Sequence, residues 1–259
     1  MAQHPPLVFE HPLNERIRTF LRAEYLFELA RFRFNNPTNF WDAKDCVSTI
    51  IELYNLIERT EIRGELLKEL ERQINGLLRL GKTPAIDHHA LEKVTQELEK
   101  SSDTLRSYSA KQGFFPKEAD LLNALRQRLS IPGGTCSFDL PAFHYWLHLP
   151  GKSRQNNLHQ WLSLLEPLEK SLALVLDLTR KSAMSVKEIA TNGTYQKSLG
   201  TQTLCQLVRI SMRSDLGMYP EISANKHRVN IRFLQLNFEQ GKPALANQDV
   251  PFELACCLI

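Results

Sequence analysis

The sequence lacks any apolar segment long enough to cross a membrane as a helix, because no apolar run approaches the roughly 18 to 20 residues that a span requires. Its first residues also lack the basic segment followed by an apolar segment that is typical of a secretory signal. These two absences predict a cytoplasmic protein that does not contact the membrane.

Cysteine is scarce and scattered. The five cysteines are Cys46, Cys136, Cys205, Cys256 and Cys257. An odd number without regular spacing does not form a disulfide framework, and the adjacent Cys256 and Cys257 would point to opposite faces of a strand. We expect all five thiols to be reduced.

No arrangement of catalytic side chains is visible: the sequence has no nucleophile elbow, no dinucleotide-binding glycine fingerprint and no spaced cysteine pair. The segment 76–83 matches a phosphate-binding loop letter by letter. However, an amphipathic helix precedes it where a strand is needed, and leucines and an arginine fill the loop. We interpret the segment as a helix C-terminus capped by Gly81. The sequence therefore predicts no enzyme, no catalytic residue and no cofactor.

Two histidines, His144 and His148, lie four positions apart, a spacing that zinc sites on helices use. Neither carboxylates nor cysteines accompany them at a recognised spacing, and the pair His88-His89 lies elsewhere in the chain. We therefore predict no metal site. His144 is interpreted either as a donor at a binding surface or as a packing histidine.

Composition is that of an ordinary globular protein, with 42% hydrophobic and 24% charged residues. The net charge of +3 is too small to indicate general binding of polyanions. Charge is unevenly distributed, however, since residues 183–233 contain seven Lys and Arg against three Asp and Glu, a local net charge of +4. This segment is the candidate for an acidic partner.

Hydrophobic periodicity divides the chain near Ser182. Before it, apolar residues recur every three or four positions, which indicates helices; after it, they alternate, which indicates strands. We predict an α+β protein with a helical domain over 1–182 and an antiparallel β domain over 183–259 packed on it. Residues 1–8 are expected to be flexible or to form a short strand.

Caps and turn residues predict the element boundaries. The predicted helices are 14–34, one capped by Thr38, 65–80, one capped by Asp87, one with Pro116 in its first turn, one capped by Asp139 with Pro141 in its first turn, and two that begin at Ser153 and Pro167. The predicted strand signals are a hairpin turn at Asn192-Gly193 and alternating runs at 203–213, 226–236 and 251–256.

The run 226–233 has a cationic side. The two-residue period of a strand puts Lys226, Arg228, Asn230 and Arg232 on one face and His227, Val229, Ile231 and Phe233 on the other. Arginine grips carboxylates with a planar fork, which favours an acidic partner, although a merely solvated charged face remains the alternative. Weaker cationic positions are Lys187, Lys197, Arg209 and Arg213, and a second set on the helices is Arg18, Arg22, Arg59, Arg63, Arg126 and Arg128.

Four stretches together are similar to one known family: residues 9–18, 129–150, 219–228 and 252–257. The longest reads LSIPGGTCSFDLPAFHYWLHLP and is specific. On these stretches the chain resembles the ZapD family of bacterial cell-division proteins, over nearly its whole length. Differences from the family lie mainly around 82–117 and 236–250, and Asp120 is acidic where the family pattern has a cation.

The resemblance implies a non-enzymatic homodimer in the cytoplasm, recruited to midcell, with a helical and a β domain. It implies that the partner is the tubulin-like division protein FtsZ, bound through its C-terminal tail, and that the protein bundles FtsZ protofilaments and stabilises the Z ring during septum formation. On matching positions, the implied tail-binding residues are Arg22, Arg59, His144, Lys226, Arg228 and Arg232.

A nucleic-acid-binding protein is the alternative function, because arginines on a sheet can follow phosphates. Binding of single strands also uses exposed aromatic rings. Only Tyr195, Tyr219 and Phe233 lie near the basic strands, and Phe233 belongs to the predicted packing face. We therefore expect no nucleic acid among the partners.

Overall fold

The structure is a computed structural model that describes residues 5–35, 39–81, 87–108, 120–200, 205–236 and 241–258. In these residues, a series of helices is followed by antiparallel strands in two sheets. The predicted α+β class is confirmed. Of the helices in the described ranges, none is long and apolar enough to cross a membrane.

The elements are numbered in chain order. The helices are α1 Glu15–Asn35, α2 Phe40–Thr60, α3 Ile62–Leu80, α4 His88–Ser107, α5 Asp120–Arg128, α6 Pro141–Leu147, α7 Gly151–Ser163 and α8 Glu166–Lys181. The strands are β1 Leu7–Pro12, β2 Val186–Ala190, β3 Thr194–Ser198, β4 Leu207–Met212, β5 Met218–Ala224, β6 Arg228–Gln235, β7 Ala244–Leu245 and β8 Val250–Cys257. A short 3₁₀ helix, Ser214–Leu216, precedes β5.

The chain divides into two compact units: residues 19–175 form one, and residues 1–18 together with 176–259 form the other. We call them the helical unit and the sheet unit. In the helical unit, α2 shows why the sequence forms helices: apolar residues spaced three and four apart, among them Val47, Ile50 and Ile57, form one buried face. Tyr54 on this face is fully buried, and its hydroxyl donates a hydrogen bond to the carbonyl of Trp161 at 3.0 Å.

Several helix boundaries differ from the predictions. Thr38 and Pro116 lie outside the described residues, and Asn39 caps α2 in a reciprocal capping box with Asp42. The predicted cap Asp139 is wrong: Leu140 takes the N-cap position without a side-chain bond, while the carboxylate of Asp139 accepts a hydrogen bond from Cys136. Three predicted boundary residues are confirmed: Asp87 caps α4, Pro141 is the first residue of α6, and Gly81 caps the end of α3.

The P-loop-like segment is helical over the part that the structure describes. Gly76 to Leu80 belong to α3, and the amide of Gly81 donates to the carbonyl of Leu77 at 2.9 Å. Lys82 and Thr83 lie outside the described residues. A phosphate cradle needs successive amides that turn outward, which helical residues do not offer. The interpretation of the segment as a helix C-terminus is confirmed.

The sheet unit contains two four-stranded sheets that share one core. One sheet has the order β1-β4-β8-β2; in the other, β6 lies between β3 and β5 and also pairs with β7. Side chains from both sheets form a single buried cluster, which includes Val208, Ile210, Ile231, Phe233 and Phe252. The alternation that the sequence showed thus buries one face of each sheet against the other.

The turn at Asn192-Gly193 is present, but it does not join two strands of one sheet. Both residues have positive φ, 48° and 72°, as a tight primed turn requires, and the amide of Thr194 bonds the carbonyl of Thr191 at 3.0 Å. The preceding strand β2 pairs with β8, whereas the following strand β3 pairs with β6. The expected hairpin is therefore a crossing from one sheet to the other.

One ion cluster ties the first strand into the sheet unit. The carboxylate of Glu10 on β1 accepts two hydrogen bonds from Arg180 and one from Arg209, each at 2.8 Å. Burial raises the pKa of the Glu10 carboxyl, but the hydrogen bonds and charges of the two arginines outweigh it, so the pKa lies below its ordinary value. Residue 10, in the chain's first segment, thereby contacts α8 and β4.

Candidate binding surface

Strand β6 places two arginines on the exposed side of its sheet. Along β6, Arg228, Asn230 and Arg232 are exposed, while Val229, Ile231 and Phe233 between them are at most 1% exposed. The predicted alternation is confirmed for these residues. His227 does not follow it, because it lies in the bend before β6 and is exposed.

The bend positions Lys226 beside the strand. The side-chain oxygen of Asn225 accepts hydrogen bonds from the amides of His227 and Arg228 at 2.8 and 3.0 Å, and the Asn225 amide donates to the carbonyl of Arg228 at 2.9 Å. This asparagine turn closes the β5–β6 hairpin. Lys226 is exposed at its tip, next in sequence to the strand. We call Lys226, Arg228 and Arg232 together the β6 row.

The charges of the β6 row are not equally available. Arg232 lies opposite Glu221 of β5, with 3.2 Å between guanidinium and carboxylate, and both side chains are more than half exposed. Such an exposed pair contributes only about 0.2–1 kcal/mol. Arg228 faces Ser198 of β3, and within the described residues it has no ion-pair partner. Arg228 is therefore the freest guanidinium of the row.

Neutral polar side chains surround the β6 row. Residues directly opposite in an antiparallel sheet lie on the same face. On the β3 side these are Thr194, Gln196 and Ser198, all exposed. On the β5 side they are Glu221 and Ser223. This face offers hydroxyl and amide groups next to three cations, with Glu221 as the acidic residue in the strand positions opposite the row.

The weaker cationic positions in the sheet unit are largely used within the fold. Arg209 is held by Glu10, Arg213 pairs with Asp215, and the ammonium of Lys197 lies 3.1 Å from Glu188. Arg209 is structural, which the sequence could not indicate because its partner is far away in the chain. The β6 row is distinct from these pairs.

Most cations of the second set also serve the helices. Arg18 pairs with Glu15, Arg126 pairs with Glu58, and Arg63 donates to the carbonyl of Leu105 at 2.8 Å. Asp120, where a cation had been expected from the family pattern, is exposed in the first turn of α5. A carboxylate is favourable at a helix N-terminus, which accounts for its tolerance there.

Arg22 and Arg59 line one cleft in the helical unit, with a volume of about 400 Å³. The α1 side consists of Arg22, Tyr25 and Leu26, and the α2 side consists of Glu52, Asn55, Leu56 and Arg59. Both sets follow the spacing of a single helix face, three and four positions on α1 and three, four and seven positions on α2. Sequence reasoning found the two arginines but missed their neighbours, which this spacing could have revealed.

The cleft combines charge with apolar surface. Leu26 and Leu56 are half-buried, Tyr25 is 62% exposed, and both arginines are exposed. Arg59 also lies in the last turn of α2, where a cation is favourable. A peptide with an apolar side chain beside a carboxylate fits this chemistry.

His144 is exposed on α6 and does not line that cleft. Its ring centroid lies 4.4 Å from that of His148, whose Nδ1 is 2.8 Å from the carbonyl oxygen of His144. Throughout the described ranges, no group of three or more His, Cys, Asp or Glu side chains is placed to hold a metal ion. His144 is thus a surface histidine of the helical unit, and its role as a donor at a binding surface stays a prediction.

Comparison with known proteins bears on the whole chain. A family described as "ZapD: Cell division protein" matches residues 21–232, a span that contains all six predicted site residues. The chain belongs to the ZapD family. A protein named "Cell division protein ZapD" from Klebsiella pneumoniae strain 342 is 42% identical over 254 residues, which is 98% of this chain and 100% of that protein.

Further ZapD relatives agree. The protein of the same name from Methylococcus capsulatus is 39% identical over 253 residues, 98% of either chain. That from Escherichia coli O17 is 41% identical over 252 residues, 97% of this chain and 98% of its own. Membership of the ZapD family supports a role in cell division.

Proposed function

We propose that the protein is a non-enzymatic division factor that binds the C-terminal tail of FtsZ and cross-links FtsZ protofilaments. In this proposal it acts in the cytoplasm at midcell as a homodimer, and it stabilises the Z ring. Arg22, Arg59, His144, Lys226, Arg228 and Arg232 contact the tail. The observation that carries the proposal is the exposed β6 row with Arg228 unpaired among the described residues.

The chemistry of these residues supports an acidic peptide as the ligand. Guanidinium groups bind carboxylates through two parallel hydrogen bonds, and Ser198 and Gln196 add neutral donors on the same face. The cleft beside Arg22 and Arg59 adds apolar surface from Leu26 and Leu56. Charge contacts set orientation and the rate of association, whereas apolar contacts supply much of the affinity.

Bundling follows from valency. A two-fold dimer displays two equivalent sites, and a filament displays many tails. When one site is occupied, the second tail is bound at a high effective concentration, so weak single contacts add up to stable cross-links. A single site of high affinity is not needed.

The test is co-sedimentation with FtsZ polymers. The double variant Arg228→Glu with Arg232→Glu is expected to lose at least about tenfold in affinity and to abolish pelleting. The matched control is Lys100→Glu with Lys152→Glu, two exposed lysines whose reversal changes the net charge equally. Circular dichroism and sedimentation velocity check that fold and dimer persist. Unchanged pelleting of the β6-row variant would refute the proposed surface.

Salt provides an independent readout. The Debye length is about 8 Å at physiological ionic strength and about 3 Å at 1 M, so contacts of exposed charges weaken as salt rises. Binding of a synthetic tail peptide, measured at two salt concentrations, is expected to weaken at the higher one for the wild-type protein. The salt dependence of the double variant is expected to be smaller.

The nucleic-acid alternative gains no support from the surface around the β6 row. Tyr195 packs edge-on against Phe252, with ring centroids 5.1 Å apart, and Phe233 is fully buried. The strand positions opposite the exposed residues of the row carry hydroxyl, amide and carboxylate groups and no aromatic ring. A gel shift with random-sequence DNA and RNA separates the two functions.

A further inference from the structure

Among the residues that the structure describes, strand β3 forms the edge of its sheet next to the β6 row, and no other strand pairs with its outer side. The amide of Leu199 bonds the carbonyl of His227 at 2.7 Å, and the amide of Phe233 bonds the carbonyl of Gly193 at 2.8 Å. In an antiparallel pair, bonded residues alternate with residues whose backbone groups point away. Gly193, Tyr195, Lys197 and Leu199 thus face β6, and the amides and carbonyls of Gln196 and Ser198 point outward.

Apart from the bond between the Thr194 amide and the Thr191 carbonyl in the turn, the described part of the chain does not pair with this edge. In the order of its sheet β3 is terminal, and β7 pairs with β6 only beyond the end of β3, at Leu234 and Gln235. Gln196 and Ser198 are exposed. Unpaired amides and carbonyls at a sheet edge are a template for an added strand.

The opposite edge of the same sheet is less suited to an added strand. On β5 the bond from Asn225 to Arg228 sets the same alternation, which turns the backbone of Pro220 outward. Proline has no amide proton, so this edge lacks a donor in its middle. The β3 edge contains no proline.

Charge also distinguishes the two edges. The β5 side of the β6 row carries Glu221, which would repel an acidic ligand and already neutralises part of Arg232. The exposed residues on the β3 side are uncharged: Thr194, Gln196 and Ser198. An added strand would lie about 10 Å from β6, two strand spacings away, within reach of long side chains on both strands.

We propose that the outer edge of β3 binds an acidic peptide in extended conformation as an added strand, whose carboxylates meet Arg228 and Arg232. The inference rests on the proposed function, since the acidic peptide is the proposed ligand, the C-terminal tail of FtsZ. It assigns the affinity of the sheet unit partly to backbone hydrogen bonds from Gln196 and Ser198. Arginine contacts then select carboxylates at alternate positions of the added strand.

The test removes one outward backbone donor. The substitution Gln196→Pro deletes an amide that β6 does not use, and an edge strand tolerates proline there. The matched control Gln196→Ala removes the side chain and keeps the amide. We expect Gln196→Pro to weaken binding of the synthetic tail peptide at least fivefold, and Gln196→Ala to change it less than twofold. Thermal unfolding and circular dichroism verify that both variants fold.

Hydrogen exchange provides a second readout on the unmodified chain. The amides of Gln196 and Ser198 are expected to exchange rapidly in the free protein and to slow when the peptide binds, because an added strand would accept their hydrogen bonds. The neighbouring amides of Tyr195 and Lys197 already bond β6 and should change little. Equal protection of all four amides contradicts strand addition.

The outcomes separate this inference from the proposed function. If the peptide does not bind the wild-type protein, both fail. If it binds and depends on Arg228 and Arg232 while Gln196→Pro binds normally, the added strand is refuted and the proposed function stands. If Gln196→Pro instead dissociates a dimer, the edge belongs to a second copy of the chain and the inference is wrong.

Discussion

Glu221 is expected to restrain the binding surface, so its neutralisation should strengthen binding. Glu221→Gln removes the carboxylate that lies 3.2 Å from the guanidinium of Arg232, where the two side chains are 55% and 59% exposed. An exposed pair contributes about 0.2–1 kcal/mol, and a ligand that binds Arg232 must first break it. Without this pair the ligand no longer has to break it, so affinity should increase about 1.4- to 5-fold, since a factor of ten corresponds to about 1.4 kcal/mol.

The assay is fluorescence anisotropy with a labelled tail peptide over a salt series. The gain should shrink as salt rises, because exposed charges are screened. The control Asp177→Asn removes a carboxylate that pairs with Lys181 at 2.7 Å on α8, and thus changes the net charge equally at another place in the sheet unit. This control should leave affinity nearly unchanged.

A double-mutant cycle sharpens the result. In a background that contains Arg232→Gln, the substitution Glu221→Gln should no longer increase affinity by way of the released guanidinium, so the two changes should be non-additive. If Glu221→Gln weakens binding in the wild-type background, Glu221 positions Arg232 or contacts the ligand itself. That result would refute the reasoning about competition.

Two further predictions concern the stability of the sheet unit. Glu10→Gln should lower the free energy of unfolding by about 2–4 kcal/mol at pH 7 in urea titrations, because two partly buried arginines lose their shared carboxylate. The folded-state pKa of Glu10 is lowered, so its contribution is present above the unfolded pKa and lost as pH falls through the folded value; a pH-independent difference would contradict this. Gly193→Ala should destabilise by about 1–3 kcal/mol, since the added Cβ would lie 2.5 Å from the Ala246 carbonyl oxygen at a φ of 72°. Gly217→Ala, at a φ of 64° in open space, should destabilise less. Thermal unfolding measures both variants, and equal losses of stability would refute the steric argument.

Local sequence patterns were sufficient to predict which side chains of a single helix or strand are buried. Alternation along β6 predicted the burial of Val229, Ile231 and Phe233, and helical spacing predicted the buried face of α2. His227 was misassigned because the asparagine turn at residue 225 extends over residues 226 and 227, so the strand begins at Arg228 and not at Lys226. The division into domains at residue 182 stays a prediction.

Tertiary pairing was not visible in the sequence. Asn192-Gly193 predicted the turn but not that its two strands join different sheets, since pairing with β8 and β6 is decided by segments further along the chain. Arg209 has the sequence pattern of a surface arginine, but its hydrogen bond to Glu10, distant in the chain, holds it within the fold. The six site residues are still a prediction as a set; the structure places three on the β6 row and two in one cleft.

The pairing of β1 with β4 has a consequence for synthesis of the chain on the ribosome. Leu7 lies opposite Met212, and Pro12 lies opposite Leu207. During translation, β1 therefore cannot pair with β4 until the entire helical unit has been synthesised. Pairings between such distant segments form slowly, and an unpaired strand can meanwhile form non-native contacts. The nascent β1 is thus the segment of the sheet unit that chaperones have the longest opportunity to bind.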